Sequence, residues 1–157
     1  EHFSAIGFNR NAFMPCYGLA ENTLAVSFSD ENMGAQVNEV DRDILEYEGR
    51  AVAPTSQSRA ISSFVNCGKP LPGHRIEIRS ETGEALPEQQ VGHSCISGPS
   101  LMSGYFRDPV TQKQIQSTGW MDTGDLGYQS EGYLYVTGRN KDLIITRGRN
   151  ICPQDIH

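Results

Sequence analysis

In residues 74–79, His74-Arg75-Ile76-Glu77-Ile78-Arg79, the side chains from Arg75 onward alternate polar and apolar. A period of two marks a strand with one buried face. Thr82-Gly83 then predicts a turn, residues 91–97 a second strand, and Gly98-Pro99 its end. Asp108-Pro109 opens a helical turn whose body is residues 112–116, and Thr118-Gly119 returns the chain to loop. Residues 133–136 predict another strand, with 143–146 as its partner. Upstream, Pro15 closes a stretch without clear period, and Cys16-Tyr17 finishes a strand before a loop at residues 18–21. Residues 22–28 form an apolar run of either type. Residues 29–63 read as a short charged element followed by polar loop, and order returns at 64–67 before the turn Gly68-Lys69-Pro70-Leu71-Pro72-Gly73. Short strands punctuated by frequent turns predict a mainly β fold with short helices, arranged as a small distorted antiparallel barrel.

Composition narrows the function. With 157 residues, 37% hydrophobic and 20% charged, the chain can bury one core. No apolar run approaches the roughly 20 residues needed to cross a bilayer, and the start carries no secretory pattern, so a cytoplasmic location is expected. A net charge of −6, spread along the chain, argues against a nucleic-acid partner. Cys16, Cys67, Cys95 and Cys152, like the four histidines, are too scattered for zinc-type or redox spacing.

Three segments carry candidate chemistry. Tyr17-Gly18-Leu19-Ala20-Glu21 offers an aromatic face that can stack on a base, and a carboxylate that can hold magnesium against phosphate. Taken alone, the segment is better read as a buried tyrosine and a solvated glutamate flanking a turn. In Thr123-Gly124-Asp125-Leu126-Gly127 the glycines let the backbone approach a ligand while Asp125 accepts two hydroxyls, as carboxylates do for ribose elsewhere. The plain alternative is a turn in which Asp125 bonds its own backbone. Gly138-Arg139-Asn140-Lys141-Asp142 follows the strand at 133–136 and would bring Arg139 over the face of Asp125, where a guanidinium can bond ribose and phosphate. Otherwise it is a soluble hairpin turn.

The three segments, in this order, resemble the nucleotide-site motifs of the adenylate-forming (acyl-activating) enzymes. The turn at 68–73 and the stretch from Ser97-Gly98-Pro99-Ser100 through Gly104-Tyr105-Phe106 extend the resemblance over residues 8–156. Several details are similar to the fatty acyl-AMP ligases within that superfamily. These are Leu19-Ala20 in the first motif, Lys141-Asp142-Leu143-Ile144-Ile145, the run from Gly148 to Ile156, and the length of residues 22–67, which matches an insertion typical of the subgroup. Cys152 and His157 depart from its pattern, and His93-Ser94-Cys95 stands where a run like Glu-Ile-Trp is usual.

The resemblance implies an enzyme that activates a fatty acid with ATP and Mg2+ to an acyl-adenylate and passes the acyl group to the phosphopantetheine thiol of an acyl carrier protein. It implies that Tyr17 stacks on adenine, with Gly18, Leu19 and Ala20 on the same nucleotide-binding segment. Glu21 would hold magnesium, Asp125 both ribose hydroxyls, Arg139 ribose or phosphate, and Val136 would line the adenine pocket. Residues 1–140 would be the third, barrel-like subdomain of a larger α/β adenylation domain, and 141–157 the start of a C-terminal domain hinged at Lys141 and Asp142. No catalytic residue is expected in the chain itself. The phosphate loop is expected before Glu1 and the catalytic lysine beyond His157, so the chain alone is expected to be inactive. An acyl-CoA synthetase, or a non-catalytic nucleotide- or carrier-protein-binding module, are the rival expectations.

Overall fold

A computed structural model describes residues 3–142, 144–146 and 149–151. Two 3-10 turns, Ser4–Ile6 and Arg10–Ala12, precede β1 (Cys16–Leu19), and a third, Ala20–Asn22, joins it to β2 (Leu24–Phe28). Then follow β3 (Val37–Asp41), α1 (Arg42–Glu48), β4 (Ile61–Val65), β5 (Lys69–Pro70), β6 (Arg75–Arg79) and β7 (Gly92–Ser97). The chain continues through α2 (Pro109–Thr118), β8 (Met121–Ser130), β9 (Tyr133–Arg139), the 3-10 turn Asn140–Asp142, β10 (Ile144–Thr146) and β11 (Arg149–Ile151).

The fold is mainly β with short helices. An antiparallel sheet in the order β6-β7-β8-β9 forms its centre, beside a β1-β2-β5 sheet and the two-stranded pairs β3-β4 and β10-β11. These sheets stay separate, and no ladder among the described residues closes a barrel. The β8–β9 hairpin divides the interior, because alternate residues of a strand point to opposite faces. Leu134 joins Val26, Ile76, Ile78, Ile96, Ile115 and Met121 in one cluster. Its neighbour Tyr135 joins Val40, Ala51 and Tyr128 in the other.

Both helices carry the caps that their sequences advertise. Asp108 accepts from the N–H groups of Val110 and Thr111, Pro109 occupies the first turn, and Gly119 ends α2 in the left-handed region. Asp41 accepts from Ile44 N–H at 3.1 Å, and Gly49 closes α1.

Two sequence expectations change. Within residues 29–63 the charged element is α1 and the polar loop follows it, but the stretch also holds β3 and the start of β4, where the sequence predicts loop. This hairpin packs inward with polar as well as apolar side chains. Asn38 Nδ2 donates to the Tyr128 hydroxyl at 3.0 Å, and Phe64 meets the Tyr128 ring edge-on at 6.0 Å. A composition satisfied by distant partners therefore reads as loop. The strand at 133–136 also pairs with β8 rather than with 143–146. Glu131 and Gly132, both at positive φ, make a two-residue hairpin between Ser130 and Tyr133, and Glu88 accepts both their N–H groups. β10 pairs with β11 instead. Leu143, Cys152 and the helix expected from Pro153 lie outside the described residues.

Candidate functional site

Three elements far apart in sequence meet at Asp125. Tyr17 on β1 donates its hydroxyl to Asp125 Oδ2 at 2.6 Å, and Arg139, the register partner of Asp125 on β9, donates from Nε to Oδ1 at 3.1 Å. The Asp125 side chain is 14% exposed and that of Arg139 71%. The carboxylate is thus held in the wall while the guanidinium reaches out. Burial, and then the bond to Asp125, push the Tyr17 hydroxyl far above its usual range, so it stays protonated as a donor.

The local reasons for this placement differ from those expected. Asp125 does not sit on a turn; it lies within β8, on an irregular stretch of strand. Gly124 adopts φ 77° with open space around a would-be Cβ, so backbone conformation requires glycine there. Gly127 is different, since a Cβ would come within 2.6 Å of Tyr135 O across the ladder. At Gly18 a Cβ would fall 1.7 Å from Leu24 O, so glycine lets β1 and β2 close.

Glu21 follows in the 3-10 turn, half-buried, and accepts from the Tyr105 hydroxyl at 2.6 Å. This bond, aided by the Arg139 charge, holds its carboxyl below the usual range. Met102 N–H donates to Glu21 O at 2.7 Å, and Thr23 Oγ1 to Ser100 O at 3.1 Å, tying the turn to the loop at 100–106. Sequence reasoning gave Tyr105 no role, because 84 residues separate it from Glu21 and no local pattern links them. Leu19 and Val136 pack with Tyr17 against the first cluster, while Ala20 is exposed. Lys141 and Asp142 are exposed in the 3-10 turn directly after β9. The structure thus brings Tyr17, Asp125 and Arg139 into direct contact and places Val136 beside Tyr17's cluster. A cavity of about 340 Å³ between Leu45, Phe64, Leu86, Val91 and His93 includes none of these three.

The donor set suits a nucleotide and one magnesium ion. An ionised carboxylate has about four acceptor positions, so Asp125 keeps room for two hydroxyls beside Tyr17 and Arg139. Among the described residues no three His, Cys, Asp or Glu side chains converge as a metal cage. A single carboxylate such as Glu21 fits magnesium, which takes one or two carboxylates with phosphate oxygens and water.

A fold of open antiparallel sheets with this arrangement matches the adenylate-forming enzymes. The model of the family described as AMP-binding enzyme matches residues 1–106, and the chain belongs to that family. It is 43% identical, over 99% of its length, to a putative acyl-CoA synthetase of Caulobacter vibrioides (strain NA1000 / CB15N), of which it covers 27%. It is 37% identical, over 98% of its length, to the medium-chain-fatty-acid:acyl-carrier-protein ligase JamA of Moorena producens (strain JHB), covering 28% of it. A solved structure from a study of fatty acyl-adenylate ligases from E. coli and L. pneumophila is 69% identical with a TM-score of 0.96, over 98% of this chain and 28% of that one. The chain therefore spans between a quarter and a third of the length of the relatives it matches. No helix among the described residues is long and apolar enough to cross a membrane.

Proposed function

We propose that this chain is part of a longer, cytoplasmic, ATP- and Mg2+-dependent fatty acid–AMP ligase that delivers its acyl group to an acyl carrier protein. The observation that carries this reading is the convergence of Tyr17 and Arg139 on Asp125. An aromatic ring, a ribose-type carboxylate and an outward guanidinium stand together beside a magnesium-type carboxylate, Glu21. The 69% identity to a solved fatty acyl-adenylate ligase favours a fatty acid as the activated acid. The relative named for its acyl carrier protein favours that acceptor.

In the first half-reaction a fatty acid carboxylate oxygen bonds to the α-phosphorus of ATP and pyrophosphate leaves. In the second, the phosphopantetheine thiol bonds to the acyl carbon and AMP leaves. Within this chain Tyr17 stacks on adenine beside Val136, with Gly18, Leu19 and Ala20 shaping the same wall. Asp125 accepts the two ribose hydroxyls, and Arg139 donates to ribose or phosphate. Glu21 holds the magnesium ion, which offsets the crowding of negative oxygens as the carboxylate approaches phosphate. Residues 1–140 form the last subdomain of the adenylation domain, and Lys141-Asp142 the hinge on which a C-terminal domain turns between half-reactions. The β3–α1–β4 segment is the insertion within residues 22–67.

The test is an assay of the full-length enzyme with ATP and fatty acids, offered either CoA or a phosphopantetheinylated carrier protein. Acyl transfer to carrier alone supports the proposal. Efficient acyl-CoA formation reassigns the enzyme to the synthetases, a reading favoured by the 43% identity to the Caulobacter protein. No fatty-acid-dependent pyrophosphate release removes fatty acid activation altogether.

A further inference from the structure

We propose that His93 and Asp122 are positioning residues for the ribose carboxylate, together clamping the bulge that carries it; this rests on the ribose-binding role proposed for Asp125. The β7–β8 ladder pairs His93 with Leu126 and Cys95 with Asp122. Between these rungs β7 has one residue, Ser94, while β8 has three, Thr123, Gly124 and Asp125. Asp125 is therefore carried on a bulge. Residues inside a bulge lose regular ladder bonds, and other groups must fix their shape.

Side chains do so here. Asp122 Oδ1 accepts Gly124 N–H at 2.8 Å, holding the left-handed residue just before Asp125. Thr123 Oγ1 donates to Ser94 O at 2.9 Å and accepts Asp125 N–H at 3.2 Å. The remaining Asp122 oxygen, Oδ2, lies 3.0 Å from His93 Nδ1. An ionised carboxylate only accepts, so Nδ1 carries the proton and donates. Of the side chains in this set, only His93 reaches in from the neighbouring strand, and it is 18% exposed against 44% for Asp122. Without it Asp122 is free to turn to water, releasing Gly124 N–H and the backbone that aims Asp125. A small misplacement of a binding group is costly when the ligand is gripped by short, directed bonds. The segment His93-Ser94-Cys95 is given a role by the bulge. Its first residue steadies Asp122 and its second offers the carbonyl for Thr123.

The experiment compares ATP with 2′,3′-dideoxy-ATP in fatty-acid-dependent pyrophosphate release by the full-length enzyme. The clamp acts only through ribose hydroxyls, so its loss must lower the preference for ATP. His93→Ala and Asp122→Ala are expected to reduce the ratio of the two kcat/KM values about tenfold, the worth of one well-made hydrogen bond, through KM for ATP. The dideoxy substrate is expected to be unaffected. His93→Asn, whose amide nitrogen replaces the Nδ1 donor, is expected to restore the ratio. Asp125→Ala is the reference. If it keeps the preference for ATP, the reading of Asp125 fails and the clamp with it. If it loses the preference while His93→Ala keeps it, or if His93→Ala harms both nucleotides equally, only the clamp is overturned. Should His93→Ala unfold, His93→Phe, which keeps the ring volume without the donor, is read in its place.

Discussion

Tyr17 and Asp125, 108 residues apart, share a 2.6 Å hydrogen bond that locks the β1–β2–β5 sheet to the central sheet at the point where Arg139 also arrives. The bond fixes the edge of the tyrosine ring and one oxygen of the carboxylate together. Under the proposed roles, a base-stacking face and a ribose acceptor are thereby given a constant separation before any nucleotide enters. Preorganisation of this kind lowers the cost of binding.

The ring and the hydroxyl of Tyr17 should therefore separate by mutation. Tyr17→Ala removes the stacking face and is expected to raise KM for ATP about ten- to a hundredfold, since base stacking on an aromatic is worth roughly 1–3 kcal/mol. Tyr17→Phe keeps the face and loses the bond to Asp125, so a rise of about tenfold or less is expected. Equal effects in steady-state kinetics would show that the ring does not stack.

Arg139 should matter to ATP and not to the fold. Its pairing with Asp125 spans 3.1 Å, but the arginine is mostly exposed, and surface ion pairs contribute little to stability. Arg139→Ala is expected to change unfolding free energy by no more than about 0.5 kcal/mol. KM for ATP should rise about tenfold, because a charge-assisted bond to ribose or phosphate is lost. Urea unfolding and kinetics on one preparation separate the two effects.

Elements whose residues answer to near neighbours were readable in the sequence. The strict alternation of residues 75–79 became β6, and Asp108-Pro109 with Gly119 became the two ends of α2. What was lost depended on distant partners. β3 and β4 hide behind a polar composition because Asn38 is satisfied by Tyr128, 90 residues away. The hairpin at Glu131-Gly132 was missed because its N–H groups are held by Glu88, 43 and 44 residues upstream. For the site, the residue types and their order pointed to Tyr17, Asp125 and Arg139. Their mutual bonds, the bulge under Asp125 and the contact of Tyr105 with Glu21 are products of strand register. No local pattern encodes them.

Magnesium dependence should expose the pair Glu21 and Tyr105. The Tyr105 hydroxyl donates to Glu21 Oε1, so under the proposed magnesium role the tyrosine orients the carboxylate. Glu21→Gln is expected to raise the Mg2+ concentration for half-maximal activity at least about tenfold. Tyr105→Phe should raise it by about three- to tenfold with little change in kcat at saturating Mg2+. A Glu21→Gln enzyme with an unaltered Mg2+ titration removes the metal from this residue.

The β3–α1–β4 segment is held to the centre by Tyr128, which is fully buried, stacked on Tyr135 at 5.0 Å and bonded to Asn38. Tyr128→Phe keeps the stack and strips Asn38 Nδ2 of its acceptor. A loss of about 1 kcal/mol is expected, the cost of losing a part-buried hydrogen bond. Hydrogen exchange should locate the loosening in β3 and β4, with β6 and β7 unchanged; uniform loosening would show that the hairpin is not a separate unit.

Acid should act on this same segment through Asp41. The Ser58 hydroxyl donates to one of its oxygens and Ile44 N–H to the other, and these bonds hold its carboxyl below the usual range. A group whose pKa is lower folded than unfolded contributes fully above the unfolded value, about 3.9 for aspartate, and loses that contribution as pH falls through the folded one. Asp41→Asn keeps an acceptor for Ile44 N–H but cannot ionise. The variant is therefore expected to be less stable than the native chain by a constant margin from about pH 7 to 5, and the margin should shrink below about pH 4. Asp108 is depressed in the same way by Thr111 and contributes its own loss in acid. Because Asp108 is present in both proteins, the difference between their urea-unfolding curves isolates Asp41. A margin that persists undiminished into acid would show that Asp41 acts through its shape as a cap and not through its charge.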